Sequence, residues 1–265
     1  MSGIFDTHAH YTDKRFENEF EGGASALLSA VFANGVDKIV NVGTNTANSL
    51  EAVKMASQYE GMYAAVGIHP SDIDEEDSLE TAIANLRALL DKREEYKIVA
   101  LGEIGLDYHW RQDNKEKQAE FLEAQLELAE EYDIPVIIHD REAHGDCFEA
   151  IVLRHPKVRG VFHCYSGSPE MAKDLVRRGW YISFTGVITY KNAPIVQACA
   201  MTVPLDRMLV ETDAPYLAPI PYRSKTNRSD YIEHTISKIA ELVGATEDEI
   251  RTRTHDNACK LFSIS

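Results

Sequence analysis

The sequence predicts a single-domain (β/α)8 TIM-like barrel, and three observations carry that prediction. Eight short runs rich in β-branched residues alternate with longer amphipathic runs, the signature of parallel βα units. The 265 residues are close to the roughly 250 of one such barrel. No low-complexity tract or Pro/Gly/Ser-rich linker divides residues 1–265, so one domain is expected. A doubly wound open sheet is the structural alternative.

In chain order, the first strand is expected at residues 3–8, followed by a helix at 24–34 that Gly35 stops. A strand at 37–42 leads to a helix at 47–59, and one at 62–66 to a helix at 79–90. Between these last two, Asp72, Asp74, Glu75, Glu76 and Asp77 form a charge run of the kind that marks a solvated loop. The strand at 99–106 precedes a helix at 115–132, and that at 136–139 precedes one at 144–154. After the strand at 160–163, Ser168-Pro169 supplies an N-cap with proline at the first helical position, for a helix at 169–178 that Gly179 ends. The strand at 181–184 leads to a helix at 193–202, and the last strand, 208–211, to a helix at 232–243 that Gly244 closes. A ninth helix, 247–261, opens on a capping box of Thr246 and Glu249.

Composition narrows the function classes. With 43 acidic against 27 basic residues the net charge is −16, which opposes a general coat for nucleic acid or anionic membrane while leaving room for a local basic site. Four cysteines lie far apart with no CxxC pair, and residues 1–9 lack a basic start followed by an apolar run, so a cytoplasmic, reducing location is expected. The apolar runs are far shorter than the roughly 20 residues of a membrane span, so no membrane partner is expected.

The chemistry gathers at strand ends. In Asp6-Thr7-His8-Ala9-His10 two histidines two apart project to the same side of an extended segment, where they can grip one metal. Glu103 sits in the apolar strand around Gly102-Glu103-Ile104, where a carboxylate needs a cation or hydrogen-bond partner. His139 ends the apolar run Ile134-Pro135-Val136-Ile137-Ile138, His163 ends Gly160-Val161-Phe162, and Asp213 follows Leu209-Val210-Glu211-Thr212. All occupy the C-terminal ends of predicted strands, the face on which barrel active sites are built. Four histidines and two carboxylates exceed the needs of one ion and suit a dinuclear site. Imidazole donors favour Zn, Mn, Co or Ni, and the carboxylates leave Mg open.

A family resemblance rests on Asp6-Thr7-His8-Ala9-His10, Val66-Gly67-Ile68-His69-Pro70, Gly102-Glu103-Ile104-Gly105-Leu106-Asp107-Tyr108, His139-Asp140-Arg141, His163-Cys164-Tyr165-Ser166-Gly167 and Glu211-Thr212-Asp213-Ala214-Pro215-Tyr216-Leu217. In this combination and order the chain resembles the TatD family of metal-dependent deoxyribonucleases over nearly its whole length. The resemblance implies an amidohydrolase-type barrel in which His8, His10 and Asp213 hold one divalent metal ion, His139 and His163 hold a second, and Glu103 bridges them. It implies that Asp213 also orients or deprotonates the attacking water, giving Asp213 and Glu103 the catalytic roles. It further implies DNA hydrolysis from a 3′ end, with removal of D-amino acids from tRNA among some relatives. One departure stands out: after Pro221-Tyr222-Arg223 the family tends to read Gly-Lys-Arg-Asn-Glu-Pro, and this chain reads Ser224-Lys225-Thr226-Asn227-Arg228-Ser229.

A phosphodiester hydrolase needs cations near the scissile group. Arg111, Lys115, Arg141, Lys191, Arg223, Lys225 and Arg228 fall in or beside loops on the metal side, with Arg141 and Lys225 taken as substrate contacts. His69 is expected to donate to a phosphate oxygen or protonate a leaving group, and Tyr108, with His109 and Trp110, to stack on a base. His144, His155, His234 and His255 are read as structural, and Cys164 has no assigned step. The leading expectation is a nuclease acting on single-stranded or frayed DNA. Its rivals are an amidohydrolase or esterase acting on an aminoacyl group or small molecule with the same metals, and a non-catalytic, metal-stabilised binding protein; the cation-rich rim favours the nuclease.

Overall fold

A computed structural model describes residues 3–264. Its elements in order are β1 (Ile4–Ala9), α1 (Lys14–Glu19), α2 (Gly23–Ala33), β2 (Val36–Val42), α3 (Thr46–Ala56), β3 (Met62–Val66), α4 (Leu79–Leu90), β4 (Ile98–Asp107), α5 (Lys115–Tyr132), β5 (Val136–Arg141), α6 (His144–Cys147), β6 (Gly160–Phe162), α7 (Pro169–Arg177), β7 (Tyr181–Phe184), α8 (Pro194–Thr202), β8 (Met208–Val210), α9 (Ile232–Val243) and α10 (Glu247–Phe262). The strands follow one another in chain order in one eight-stranded sheet, giving the expected (β/α)8 barrel. Among the described residues no helix is long and apolar enough to cross a membrane.

The chain divides into two compact units, one running to Asn41 and resuming at Cys164, the other spanning Val42 to His163. In the first, β1 pairs with β2 in parallel, Asp6 opposite Ile39, and β7 with β8, Ser183 opposite Leu209. An Ala9–Ala214 bridge joins the end of β1 to the segment after β8. Ile4, Ile39, Phe184 and Leu209 are buried here, and Phe5 packs on Phe262 of α10 with ring centroids 6.0 Å apart.

In the second unit β3 to β6 pair in parallel, with Ala65 opposite Ala100, Gly105 opposite His139, and Ile137 opposite Val161. These strands are apolar along most of their length because both faces are covered. Gly105 has φ 153, and a Cβ there would lie 1.9 Å from the His139 carbonyl oxygen, so only glycine lets β4 approach β5 at the level of His139.

Local chemistry explains the helix ends. Ser78, Ser168 and Thr246 accept hydrogen bonds from the amides of Thr81, Met171 and Glu249, and Pro169 opens α7. Two elements depart from expectation. Helix α1 was not foreseen: its six residues are too few to show a period, although Asp13 caps it by accepting from the Arg15 amide. The helix expected at 144–154 forms as the four-residue α6, continuing as a π-helical turn over Phe148–Leu153.

Candidate metal centre

The first cluster is built where the two segments of the first unit meet, at the end of β1 and just after β8. Alternation along β1 sends His8 and His10 to one side, with their Nε2 atoms 3.0 Å apart. The Oδ1 of Asp213 lies 3.7 Å from the His8 Nε2 and 3.4 Å from the His10 Nε2. Ligands about 2.0–2.1 Å from one tetrahedral ion are separated by roughly 3.3 Å. The three atoms therefore have the spacing of one coordination sphere, and the donor set of two imidazoles and a carboxylate fits a divalent cation.

Asp213 reaches this position from a left-handed backbone, φ 57, a conformation that aspartate tolerates better than most residues. The amide of Asp213 donates to the His8 carbonyl at 2.9 Å, and that of His10 to the Ala214 carbonyl at 2.7 Å. Beneath them the buried Asp6 carboxylate accepts from the amides of His8 (3.2 Å) and Thr212 (3.0 Å), and lies 2.6 Å from the Thr212 hydroxyl. Burial pushes Asp6 up to about 7 despite the opposing hydrogen bonds from Ser229, Thr212 and the His8 amide. Asn227, fully buried, donates from Nδ2 to the Thr212 carbonyl at 2.9 Å and accepts the Arg228 amide at 2.9 Å.

The second cluster lies in the second unit and centres on Glu103. Its Oε1 is 2.7 Å from the Nδ1 of His139, 2.7 Å from the Nε2 of His163 and 3.5 Å from the Nε2 of His69. The Nδ1 of His139 and the Nε2 of His163 are 3.4 Å apart, again a ligand-edge distance. His69, read from sequence as a phosphate or leaving-group donor, thus stands against Glu103. Its ring meets that of His139 edge-on at 4.3 Å, and its Nδ1 accepts the Ser71 amide.

Asp107 had no role in the sequence reading, yet its Oδ2 lies 3.0 Å from the Nε2 of His139, leaving the opposite ring nitrogen facing Glu103. A carboxylate on the far nitrogen of a ligand histidine fixes the ring and raises its basicity. Burial raises the Asp107 pKa, but the His139 hydrogen bond and the Trp110 and His109 amides outweigh it and hold it at about 2. Burial opposes protonation of His139, and the hydrogen bonds to Asp107 and Glu103 leave its pKa above the ordinary histidine value. The available signal was an acidic residue at the end of a strand already carrying Glu103.

The expected substrate residues take varied positions. Tyr108 is buried, its hydroxyl donating to Asp146 at 2.8 Å with the Lys115 ammonium 3.9 Å over its ring. Arg141 is exposed at the end of β5, its guanidinium 5.2 Å over the Trp110 ring. Lys225 is exposed in the loop after β8. Arg111 pairs with Asp74 and Asp113, and Arg228 with Asp230, so these two cations already face carboxylates. In the departing loop, the Ser229 amide, which proline would lack, donates to the Tyr11 hydroxyl at 3.1 Å, and Thr226 bonds to Glu19. His144 pairs with Asp140, His155 with Glu123 and Glu130, and His255 with Asp37, while His234 meets the Tyr222 ring. The four cysteines are free thiols, and the Cys164 amide donates to Glu211 at 2.6 Å.

The family model described as TatD related DNase matches residues 5–263. This chain belongs to that family. The metal-dependent hydrolase YabD of Bacillus subtilis, described as uncharacterized, is 36% identical over 263 residues, covering 99% of this chain and all of that protein. The corresponding YcfH of Escherichia coli is 34% identical over 264 residues, covering 98% of this chain and 96% of its own. Among solved structures, the TatD homolog YjjV from E. coli superposes with a TM-score of 0.89 at 31% identity, covering 99% of this chain and 98% of that one. A TatD family hydrolase from Entamoeba histolytica, 22% identical with a TM-score of 0.85 over the full length of both chains, shares the fold. The chain is accordingly a metal-dependent hydrolase of the TatD family.

Proposed function

We propose that this hydrolase is a deoxyribonuclease of the cytoplasm that shortens single-stranded or frayed DNA from its 3′ end with two divalent cations. The observation that carries the reading is the close gathering of candidate ligand atoms in each cluster, 3.0 to 3.7 Å apart in the first, and in the second two histidine nitrogens 3.4 Å apart, each 2.7 Å from the Glu103 carboxylate. In this reading His8, His10 and Asp213 hold one ion, and Glu103, His139 and His163 hold the other. When bound, such ions polarise a phosphoryl oxygen and acidify water, which suits Zn, Mn, Co, Ni or Mg. Asp213 accepts the proton of the attacking water from its partly exposed carboxylate. His69 donates to a phosphate oxygen or the leaving group, and Arg141 and Lys225 offset the charge of the strand. The DNase description of the family and these exposed cations favour a phosphodiester over an amide.

The test is a metal-reconstitution screen. Chelator-stripped protein should hydrolyse nothing, and one of the five cations should restore mononucleotide release from end-labelled single-stranded DNA, with metal analysis giving two ions per chain. Turnover of aminoacyl-tRNA or amides with no turnover of DNA would overturn the nuclease reading. One ion per chain at full activity would overturn the two-ion reading.

A further inference from the structure

Trp110 is 67% exposed, more than any other large hydrophobic side chain among the described residues, whereas the only other tryptophan, Trp180, is 3% exposed. A lone exposed hydrophobe needs no explanation. Trp110 is not alone. It follows β4, and Arg141 ends β5; Asp107 and Arg141 are register partners, and the Tyr108 amide donates to the Arg141 carbonyl at 2.9 Å. This pairing of strand ends sets an indole and a guanidinium side by side, 5.2 Å from charge to ring centroid. Arg141 has no carboxylate within ion-pair distance among the described residues, in contrast to Arg111. His109, the neighbour of Trp110, is turned to Glu142, its Nδ1 2.7 Å from that carboxylate.

The turn that presents Trp110 is also pinned. The Oδ1 of Asp107 accepts the amides of His109 at 2.9 Å and Trp110 at 3.1 Å, while its Oδ2 holds the His139 ring. One carboxylate thus fixes both a candidate metal ligand and the indole-bearing turn. An aromatic face beside an unneutralised cation is the complement of a base beside its phosphate. On a chain of net charge −16 such a local cation is what admits a polyanion.

We propose that Trp110 and Arg141 form a subsite for one nucleotide of single-stranded DNA, the indole stacking on its base and the guanidinium meeting its phosphate, with Asp107 holding the subsite at a fixed distance from His139. This rests on the nuclease reading above and assigns that site a base-stacking position. The aromatic that binds a base is then Trp110; Tyr108 is held by Asp146 and Lys115.

Two measurements test it on the metal-loaded enzyme. The first follows tryptophan fluorescence as hydrolysis-resistant phosphorothioate oligonucleotides are added, with intact or abasic 3′-terminal nucleotides. Because Trp110 is the exposed tryptophan, intact strands should quench the emission and shield it from acrylamide, and abasic ones should not. The second compares hydrolysis of the same two kinds of end in phosphodiester strands by Trp110→Ala, Trp110→Phe and Arg141→Gln. Trp110→Ala should raise KM for intact strands roughly tenfold, Trp110→Phe should recover most of the loss, and on abasic ends Trp110→Ala should match the parent. Arg141→Gln should raise KM on both and flatten the salt dependence of binding by roughly 0.7 in the logarithmic slope. Equal losses on intact and abasic ends, or no quenching by either, would overturn the subsite. Base-dependent quenching by a parent enzyme that hydrolyses no strand would leave the subsite standing and overturn the nuclease reading.

Discussion

Replacing Asn227 by alanine tests whether the loop after β8 holds the first cluster. The side chain is fully buried, donates to the Thr212 carbonyl at 2.9 Å and accepts the Arg228 amide at 2.9 Å. Truncation leaves a buried carbonyl without this donor, at a cost of about 1–3 kcal/mol. The Arg228 amide is half-buried and can find water, so it adds little. A central value of about 2 kcal/mol lowers the melting temperature by roughly 4–8 °C for a chain of this size. Because Thr212 precedes Asp213, the same change should weaken one ion's affinity by roughly tenfold, as lost support behind a ligand does. Asn227→Asp should fare no better, since it sets a carboxylate oxygen against the Thr212 carbonyl. Differential scanning calorimetry and metal titration read both effects. Melting within about 1 °C of the parent, with unaltered metal affinity, would refute the argument that Asn227 supports this segment.

Three further outcomes are expected. Gly105→Ala, whose new Cβ would meet the His139 carbonyl oxygen at 1.9 Å from a backbone at φ 153, should destabilise by about 3 kcal/mol or more and displace His139; parental melting and metal content would contradict this. The Asp140 hydrogen bond raises the His144 pKa above 6.5 despite burial, so its stabilisation is complete below pH 6.5 and is lost as pH rises through the raised value. His144→Asn should therefore lose stability relative to the parent at pH 6 and converge on it at higher pH in denaturant titrations; a constant difference would count against the ion pair. Asp213→Asn should abolish most turnover while the ion held by His139 and His163 stays largely bound, whereas Cys164→Ser should keep near-parental rates, both checked by single-turnover hydrolysis and metal analysis.

The strand series and the ligand candidates were legible because both are local signals. An apolar run that ends in His139 or His163, or that leads through Glu211-Thr212 to Asp213, displays its polar terminus in the sequence itself, and the caps at Ser168 and Thr246 lie within four residues of the amides they serve. What sequence hid depends on partners distant along the chain. Asp107 gains its meaning from a ring 32 positions away, and Asn227 from a carbonyl 15 positions back. The choice between Tyr108 and Trp110 was closed to sequence because nothing in three adjacent aromatic residues tells which packs beneath Lys115 and which faces solvent. In the departing loop the shared Asn227 and the substituted Ser229 are both buried, whereas the substituted Ser224 is exposed and Thr226 half-buried.

The Asp6 carboxylate accepts from a backbone amide 206 positions further along the chain, whereas His69, Glu103, His139 and His163 all lie on one uninterrupted stretch of chain. The two clusters therefore mature at different moments of synthesis. The ligands around Glu103 have all been added once His163 is in the chain, well before Asp213 is made. The pair on β1 must wait until Asp213 arrives and the long loop from His10 to Asp213 is closed. A chain arrested between these points carries one set of ligands complete and the other without its carboxylate. If both clusters serve the reaction as proposed, full activity reports that the segment carrying Asp213 has joined β1, and a copy ending before Asp213 is expected to be inactive.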